Sequence, residues 1–196
     1  MSGDLVFVTG AARSGKSRYA ENLASRMGNG GPVLYVATAE AYDEEMRERV
    51  RLHRERRPPG WGTLEARHQV AARLGEKQRD AAVVLLDCLS MLVSNILLDA
   101  AAKLGEDSPL LQSNAVEETD AEVGALLEWQ KESGAALVIV SNEVGWGVVP
   151  PYRLGRIYRD VLGSANQRVA AAASAAYLLV AGLPLALKDE SADQKR

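Results

Sequence analysis

The sequence predicts an α/β fold: a mainly parallel sheet flanked by helices, with one antiparallel strand near the C-terminus. Three observations carry this. Short apolar runs without polar alternation recur along the 196 residues, as strands covered on both faces require. Longer segments rich in helix formers separate them, the order that builds parallel strand–helix–strand units. The segment Gly10-Ala11-Ala12-Arg13-Ser14-Gly15-Lys16-Ser17 matches G-x-x-x-x-G-K-[ST] in full and stands between the first strand and the first helix, the setting that makes the match specific to a P-loop NTPase fold.

In chain order, the expected strands are Leu5–Val8, Val33–Ala37, Ala81–Leu86, Ala136–Val140, Ala176–Val180 and Leu183–Leu187. The expected helices are Lys16–Arg26, Tyr42–Arg56, Leu89–Ala102, Val116–Lys131 and Arg156–Ala173. Ala181-Gly182 separates the last two strands as a tight hairpin would, which makes the final strand the antiparallel one. Gly28 to Pro32 is a Gly-rich turn, and Leu104 to Asn114, a mixture of Gly, Pro, Ser and charges, reads as a surface loop. Residues 1–187 are expected to form a single domain and residues 188–196 a polar, disordered tail.

Composition bounds the function. Hydrophobic residues make up 47% of the chain and charged residues 25%, ordinary values for a domain with a buried core. A net charge of −3 gives no global basic footprint, so nucleic acid is not the expected partner. Cys88 is the single cysteine, which excludes an internal disulfide and a multi-cysteine zinc site and fits a reducing compartment. The apolar run Leu5–Val8 is too short for a secretory signal. The stretch Val169 to Leu187 is interrupted by Ser174, Gly182 and Pro184, so no stable membrane insertion is expected. The expected location is cytoplasmic.

The phosphate loop implies nucleotide binding. Its glycines let the backbone curl so that successive N–H groups face phosphate oxygens, and the following helix adds its partial positive charge. Lys16 can reach the β- and γ-phosphates, and the Ser17 hydroxyl can join Mg2+. Asp87 ends a buried apolar strand, where P-loop proteins place a metal-binding carboxylate; the alternative is an acidic residue at the start of a helix. His53 sits among Arg51, Arg54, Arg56 and Arg57, ahead of the helix-stopping Pro58-Pro59-Gly60. Arginine forks recognise phosphates, and nearby cations favour a neutral, nucleophilic imidazole. A surface histidine in a charged helix is the competing reading. His68 reads as structural and Cys88 as packing. Asn142-Glu143 follow a strand at the sheet edge, either as sensor groups or as residues that shape the Gly145–Gly147 loop. Arg153, Arg156 and Arg159 either bind phosphate or form surface ion pairs.

Taken together, these motifs identify a resemblance. The phosphate loop, Tyr35-Val36-Ala37-Thr38-Ala39, the stretch from Asp43-Glu44-Glu45-Met46 through His53 to Arg57-Pro58, Leu85-Leu86-Asp87-Cys88 with Asn95, Val140-Ser141-Asn142-Glu143-Val144-Gly145 with Val149-Pro150, and Arg159-Asp160 with Gly163, Asn166, Gln167 and Arg168 resemble the bifunctional adenosylcobinamide kinase/adenosylcobinamide-phosphate guanylyltransferase family. They cover nearly the whole chain. The resemblance implies two reactions. A hydroxyl of adenosylcobinamide takes the γ-phosphoryl group of ATP or GTP, and adenosylcobinamide phosphate then takes GMP from GTP through a histidine–GMP intermediate. It places the guanylylated histidine at His53 and the guanosine site at Ala37, Thr38 and Ala39. It assigns Arg54, Glu55, Arg56, Arg57 and Glu65 to the nucleotide and Asp87 to metal and nucleotide, and it implies a homotrimer. Some relatives carry two adjacent histidines where this chain has Leu52-His53, and Glu where it has Asp87. Trp146 is a bulky residue in a Gly-rich loop.

Two other function classes compete. Another small-molecule kinase on the same fold predicts phosphoryl transfer without a covalent adduct. A non-catalytic nucleotide switch predicts binding without turnover, but the Asn-Lys-x-Asp guanine motif of switch GTPases is absent from the sequence.

Overall fold

The computed structural model describes residues 3–39, 44, 58, 60–77 and 81–189. Apart from Glu44, the expected helix Tyr42–Arg56 lies outside the described residues, and so do His53, Arg54, Glu55, Arg56 and Arg57. In chain order the elements are β1 (Leu5–Gly10), α1 (Lys16–Gly28), β2 (Val33–Ala37), β3 (Gly62–Glu65), α2 (Val70–Lys77), β4 (Val83–Asp87), α3 (Leu89–Leu104), α4 (Leu111–Ser133), β5 (Ala136–Val140), α5 (Arg153–Ala172), β6 (Ala175–Val180) and β7 (Leu183–Asp189).

The described strands form one seven-stranded sheet in the order β3-β2-β4-β5-β1-β6-β7. Every neighbouring pair is parallel except β6–β7, so the α/β reading and its single antiparallel strand hold. Side chains alternate across the sheet. Val6, Val8, Val83, Leu85, Val138 and Val140 face α1, whose Ala20 and Ala24 are fully buried one turn apart and let that helix lie close. Leu5, Phe7, Val84, Leu86, Leu137 and Ile139 face α2 to α5. The central strands are thus covered on both sides, which is why their sequences carry no polar alternation.

Four sequence expectations are corrected. Strand β3 went unseen because only Leu64 of its four residues is buried; it exists by pairing with the edge of β2. Helix α2 went unseen because its cap is tertiary: both Glu122 carboxylate oxygens, from α4, accept from the backbone N–H groups of Gln69 and Val70, at 3.0 and 2.7 Å. The expected loop Leu104 to Asn114 shrinks to residues 105–110. Helix α3 runs on to Gly105, whose φ is positive at 88° and whose backbone N–H donates to Ala101 O, and α4 starts at fully buried Leu111, the first of a stripe continuing through Ala115, Thr119 and Val123 at one-turn spacing. The last strand runs past the expected end at Leu187, since Lys188 and Asp189 still belong to β7.

The hairpin forms as expected. Ala181 and Gly182 both have positive φ, 50° and 83°, as a two-residue turn matched to strand twist requires. Strand β7 stands at the sheet edge with Leu183, Leu185 and Leu187 exposed.

Leu86 is fully buried between the sheet and its helices. Leu86→Ala should therefore lower the unfolding free energy by ~2–5 kcal/mol, read from urea denaturation. A loss under about 1 kcal/mol would mean that this layer is not tightly packed.

Candidate active site

Strand register assembles the site. Glu65 stands opposite Ala37, Ala37 opposite Asp87, Asp87 opposite Val140, and Val140 opposite Val8. The carboxyl ends of β3, β2, β4, β5 and β1 therefore form one row. In open α/β sheets that edge is where ligands bind. The phosphate loop follows β1 directly, and Asp87 ends β4 two strands away.

The loop is held from three sides. The Ser14 N–H donates to Ala11 O at 3.2 Å, the Glu143 N–H donates to Gly10 O at 3.1 Å, and the Gly182 N–H of the hairpin turn donates to Ser14 O at 2.9 Å. Gly10 is required here. Its φ is 154°, and a Cβ would come within 2.6 Å of Leu179 O and 2.7 Å of Ser14 Oγ. Gly15 precedes α1 with φ 91°. No side chain caps that helix, which leaves its start open to an anion. Ser14 is buried and its hydroxyl has no hydrogen-bond partner among the described residues.

Lys16 and Asp87 lie near enough to influence each other electrostatically. The ammonium donates to Ala11 O at 3.2 Å. Burial lowers the Lys16 pKa from its usual value, while Cys88 and Asp87 oppose that shift. The Asp87 carboxylate accepts from the Tyr35 hydroxyl at 3.0 Å through Oδ2. Half-buried Ser17 lies in the first turn of α1. A hydroxyl and a carboxylate oxygen are hard donors suited to Mg2+, which keeps several sites for water and phosphate. Among the described residues no cluster of three His, Cys, Asp or Glu forms a fuller metal site. The donor set therefore fits a metal completed by the nucleotide.

Ala37 and Glu65 lie in the carboxyl-edge row, with Glu65 exposed, and Ala39 follows Thr38 just past β2. Thr38 is buried, and its polar groups are used inside the protein. Its hydroxyl donates to Cys88 O at 2.6 Å and accepts from the Cys88 N–H at 2.9 Å. Its backbone N–H donates to Asp87 O at 3.4 Å, and its carbonyl accepts from Asn95 Nδ2 at 2.9 Å. His68 is structural, with Nε2 2.9 Å from Asp99 Oδ2, while Arg67 holds the other oxygen of Asp99 at 2.6 Å.

Glu143 shapes the loop after β5: Oε1 accepts from the Gly145 N–H at 2.7 Å. Asn142 Nδ2 donates to Ser90 Oγ at 3.0 Å, and Asn142 O accepts from Asn166 Nδ2 at 3.0 Å. Arg153 is engaged with the carbonyls of Glu106 and Ser108, and Arg156 with those of Pro150 and Pro151. Arg159 pairs with Asp160. Trp146 is exposed. Sequence reasoning assigned no contact to Tyr35, Ser90 or Asn166, and it gave Gly182 only the hairpin turn. Their contacts have no local signal, because Tyr35 acts through a partner at least 50 residues away in the chain and the others through partners in separate elements.

Residues 6–187 match the family model described as cobinamide kinase / cobinamide phosphate guanyltransferase. The chain is 39% identical over 185 residues to the bifunctional adenosylcobalamin biosynthesis protein CobU of Escherichia coli, covering 94% of this chain and 99% of that protein. It is 40% identical to CobU of Salmonella typhimurium, with coverage of 94% and 99%. It is 41% identical to the bifunctional adenosylcobalamin biosynthesis protein CobP of Pseudomonas aeruginosa, with coverage of 93% and 96%.

Cys88 is inert by environment. Burial, then the Asp87 charge, pushes its thiol up to about 11, against a weaker opposing effect from Ser90. The thiolate is the reactive form, so at pH 8 the folded chain should alkylate at least ~10-fold more slowly than the urea-unfolded chain, and its rate should climb toward pH 11. Equal rates at pH 8, followed by intact mass with iodoacetamide, would contradict this environment.

Proposed function

The chain belongs to the cobinamide kinase / cobinamide phosphate guanyltransferase family, and we propose that both of its transfer reactions run at the carboxyl edge of the sheet, on the phosphate loop and Asp87. It is a bifunctional enzyme of adenosylcobalamin biosynthesis. The observation that supports the site is the register that sets Asp87 opposite Val140 and Val140 opposite Val8, with the phosphate loop and its Lys16 and Ser17 following β1 directly.

In the kinase step, the alcohol oxygen on the aminopropanol arm of adenosylcobinamide attacks the γ-phosphorus of ATP or GTP. The bond to the β-phosphate oxygen breaks, the nucleoside diphosphate leaves, and the hydroxyl proton is lost. Such transfer needs positioning and charge neutralisation more than covalent chemistry. Lys16 and Arg13 supply fixed positive charge, and the backbone of residues 10–17 orients the phosphates. Mg2+, held by Ser17 and Asp87, would neutralise charge across the β- and γ-phosphates.

In the guanylyl step, a His53 ring nitrogen attacks the α-phosphorus of GTP and expels pyrophosphate, leaving GMP on a P–N bond. A phosphate oxygen of adenosylcobinamide phosphate then attacks that phosphorus, breaks the P–N bond and gives adenosylcobinamide-GDP. Arg54, Arg56 and Arg57 clamp phosphate, while Ala37, Ala39, Glu55 and Glu65 surround the nucleotide. The family resemblance and the arginine cluster around His53 support this half, since His53 lies outside the described residues.

The active assembly is a homotrimer in the cytoplasm. The exposed leucines of edge strand β7 are a surface that self-association would cover. No helix among the described residues is long and apolar enough to cross a membrane, and the lone cysteine suits a reducing compartment.

With Mg2+ and α-labelled GTP, the protein should retain label as an acid-labile, alkali-stable GMP adduct, and His53→Ala should lose it while still phosphorylating adenosylcobinamide. GTP binding without any adduct in the wild-type chain would sink the His53 mechanism and leave a plain kinase. By light scattering, the 21.1 kDa chain should run at about three times its mass; a monomer at assay concentration would refute the trimer.

A further inference from the structure

The carboxylate proposed to hold Mg2+ is itself held, by one residue of strand β2 and by the residue that follows the strand. Tyr35 stands in register with Leu85, and Ala37 with Asp87. Tyr35, Ala37, Leu85 and Asp87 all occupy the α1 face, because Tyr35 and Leu85 belong to that core layer and residues two apart on a strand share a face. Asp87 is thus the diagonal neighbour of Tyr35 across the β2–β4 ladder, a separation that long aromatic side chains span. The directly opposed residue, Ala37, is too small to fill the space between. The Tyr35 ring is buried in the layer under α1, and its hydroxyl emerges at the carboxyl edge to donate to Asp87 Oδ2 at 3.0 Å. One carboxylate oxygen is fixed by this bond, which orients the other.

The second hold acts on the backbone. Thr38 Oγ1 both donates to Cys88 O, at 2.6 Å, and accepts from the Cys88 N–H, at 2.9 Å. These two bonds tie the residue after β2 to the residue after β4, beyond the last ladder pair. Buried Asn95 secures Thr38 in turn by donating to its carbonyl at 2.9 Å. Thr38, which the family resemblance assigns to the guanosine site, thus turns its hydroxyl toward Cys88. Nothing in this arrangement requires bound nucleotide, so the carboxylate is oriented before substrate arrives, which is the condition for holding a ligand without reorganisation.

We propose that Tyr35 and Thr38 are positioning residues for the metal-binding carboxylate: Tyr35 fixes the rotation of the Asp87 side chain, and Thr38 fixes the height of its backbone at the sheet edge. The inference rests on the proposed metal role of Asp87. Tyr35→Phe keeps the buried ring and removes only the hydroxyl. Thr38→Ser keeps both bonds to Cys88, and Thr38→Val removes them.

The test is the Mg2+ concentration needed for half-maximal binding of a non-hydrolysable GTP analogue to the full chain, followed by calorimetry, with melting temperature and metal-free nucleotide affinity recorded beside it. Tyr35→Phe and Thr38→Val should raise the Mg2+ requirement by about tenfold, the lower end for loss of a supporting bond to a metal ligand. Thr38→Ser should keep the Mg2+ requirement of the wild-type chain, and the metal-free affinity of Tyr35→Phe should stay within about twofold of wild type. A purely structural role would lower the melting temperature and leave the Mg2+ requirement alone, and that outcome would overturn the inference. If either Thr38 variant fails to fold, the Tyr35→Phe result decides by itself. A wild-type chain whose nucleotide binding ignores Mg2+ would instead overturn the metal role of Asp87, and the positioning inference with it.

Discussion

Backbone hydrogen bonding between strands buried on both faces is the constraint on which this molecule depends. Strands β1, β4 and β5 have apolar layers above and below, so their N–H and C=O groups have no access to water and must pair with each other. A one-residue slip would turn each strand's side chains to the opposite face and misalign both layers at once. Register is therefore set by packing, far from any chemistry. Its consequence is chemical all the same, because it brings Val8, Val140, Asp87, Ala37 and Glu65 level with one another. The phosphate loop and the carboxylate meet because the core permits no other alignment.

On that frame the site is stiffened by a few long-range polar contacts. The hairpin turn between β6 and β7 donates to the phosphate loop through Gly182, and the segment after β5 donates to it through Glu143. Asn166, from α5, bonds both the Ser141 hydroxyl at 2.6 Å and the Asn142 carbonyl at 3.0 Å. Each contact uses groups that would otherwise be left unpaired where the chain leaves the sheet. The same logic explains the arginines near the start of α5. Arg153 and Arg156 are spent on backbone carbonyls of neighbouring loops, which makes them struts for the segment beside the site.

Electrostatics then sets which groups at the edge are reactive. Burial lowers the Lys16 pKa, and the Asp87 charge opposes that shift. Cys88 experiences the opposite combination, burial beside an anion, and is held as a neutral thiol. One carboxylate thus supports a charged lysine and silences an adjacent thiol, as the sign of each ionised form requires.

The sequence by itself determined the fold class, seven of the described helices and strands to within a residue at their starts, and the phosphate loop with Lys16, Ser17 and Asp87. These are local properties: apolar periodicity, turn residues at Ala181-Gly182, and a motif whose glycines answer a backbone requirement at Gly10 and Gly15. It also carried the resemblance that names the chemistry. Only tertiary structure decided the rest. Strand β3 is made by its neighbour, α2 is capped by Glu122 from 52 residues away, and Thr38 turns its hydroxyl inward because Cys88 stands opposite it. Tyr35 reaches Asp87 only once β2 and β4 are paired in a particular register. Such contacts join residues distant in the chain, and no local pattern encodes them, since each forms only where two buried strands have already fixed each other's position.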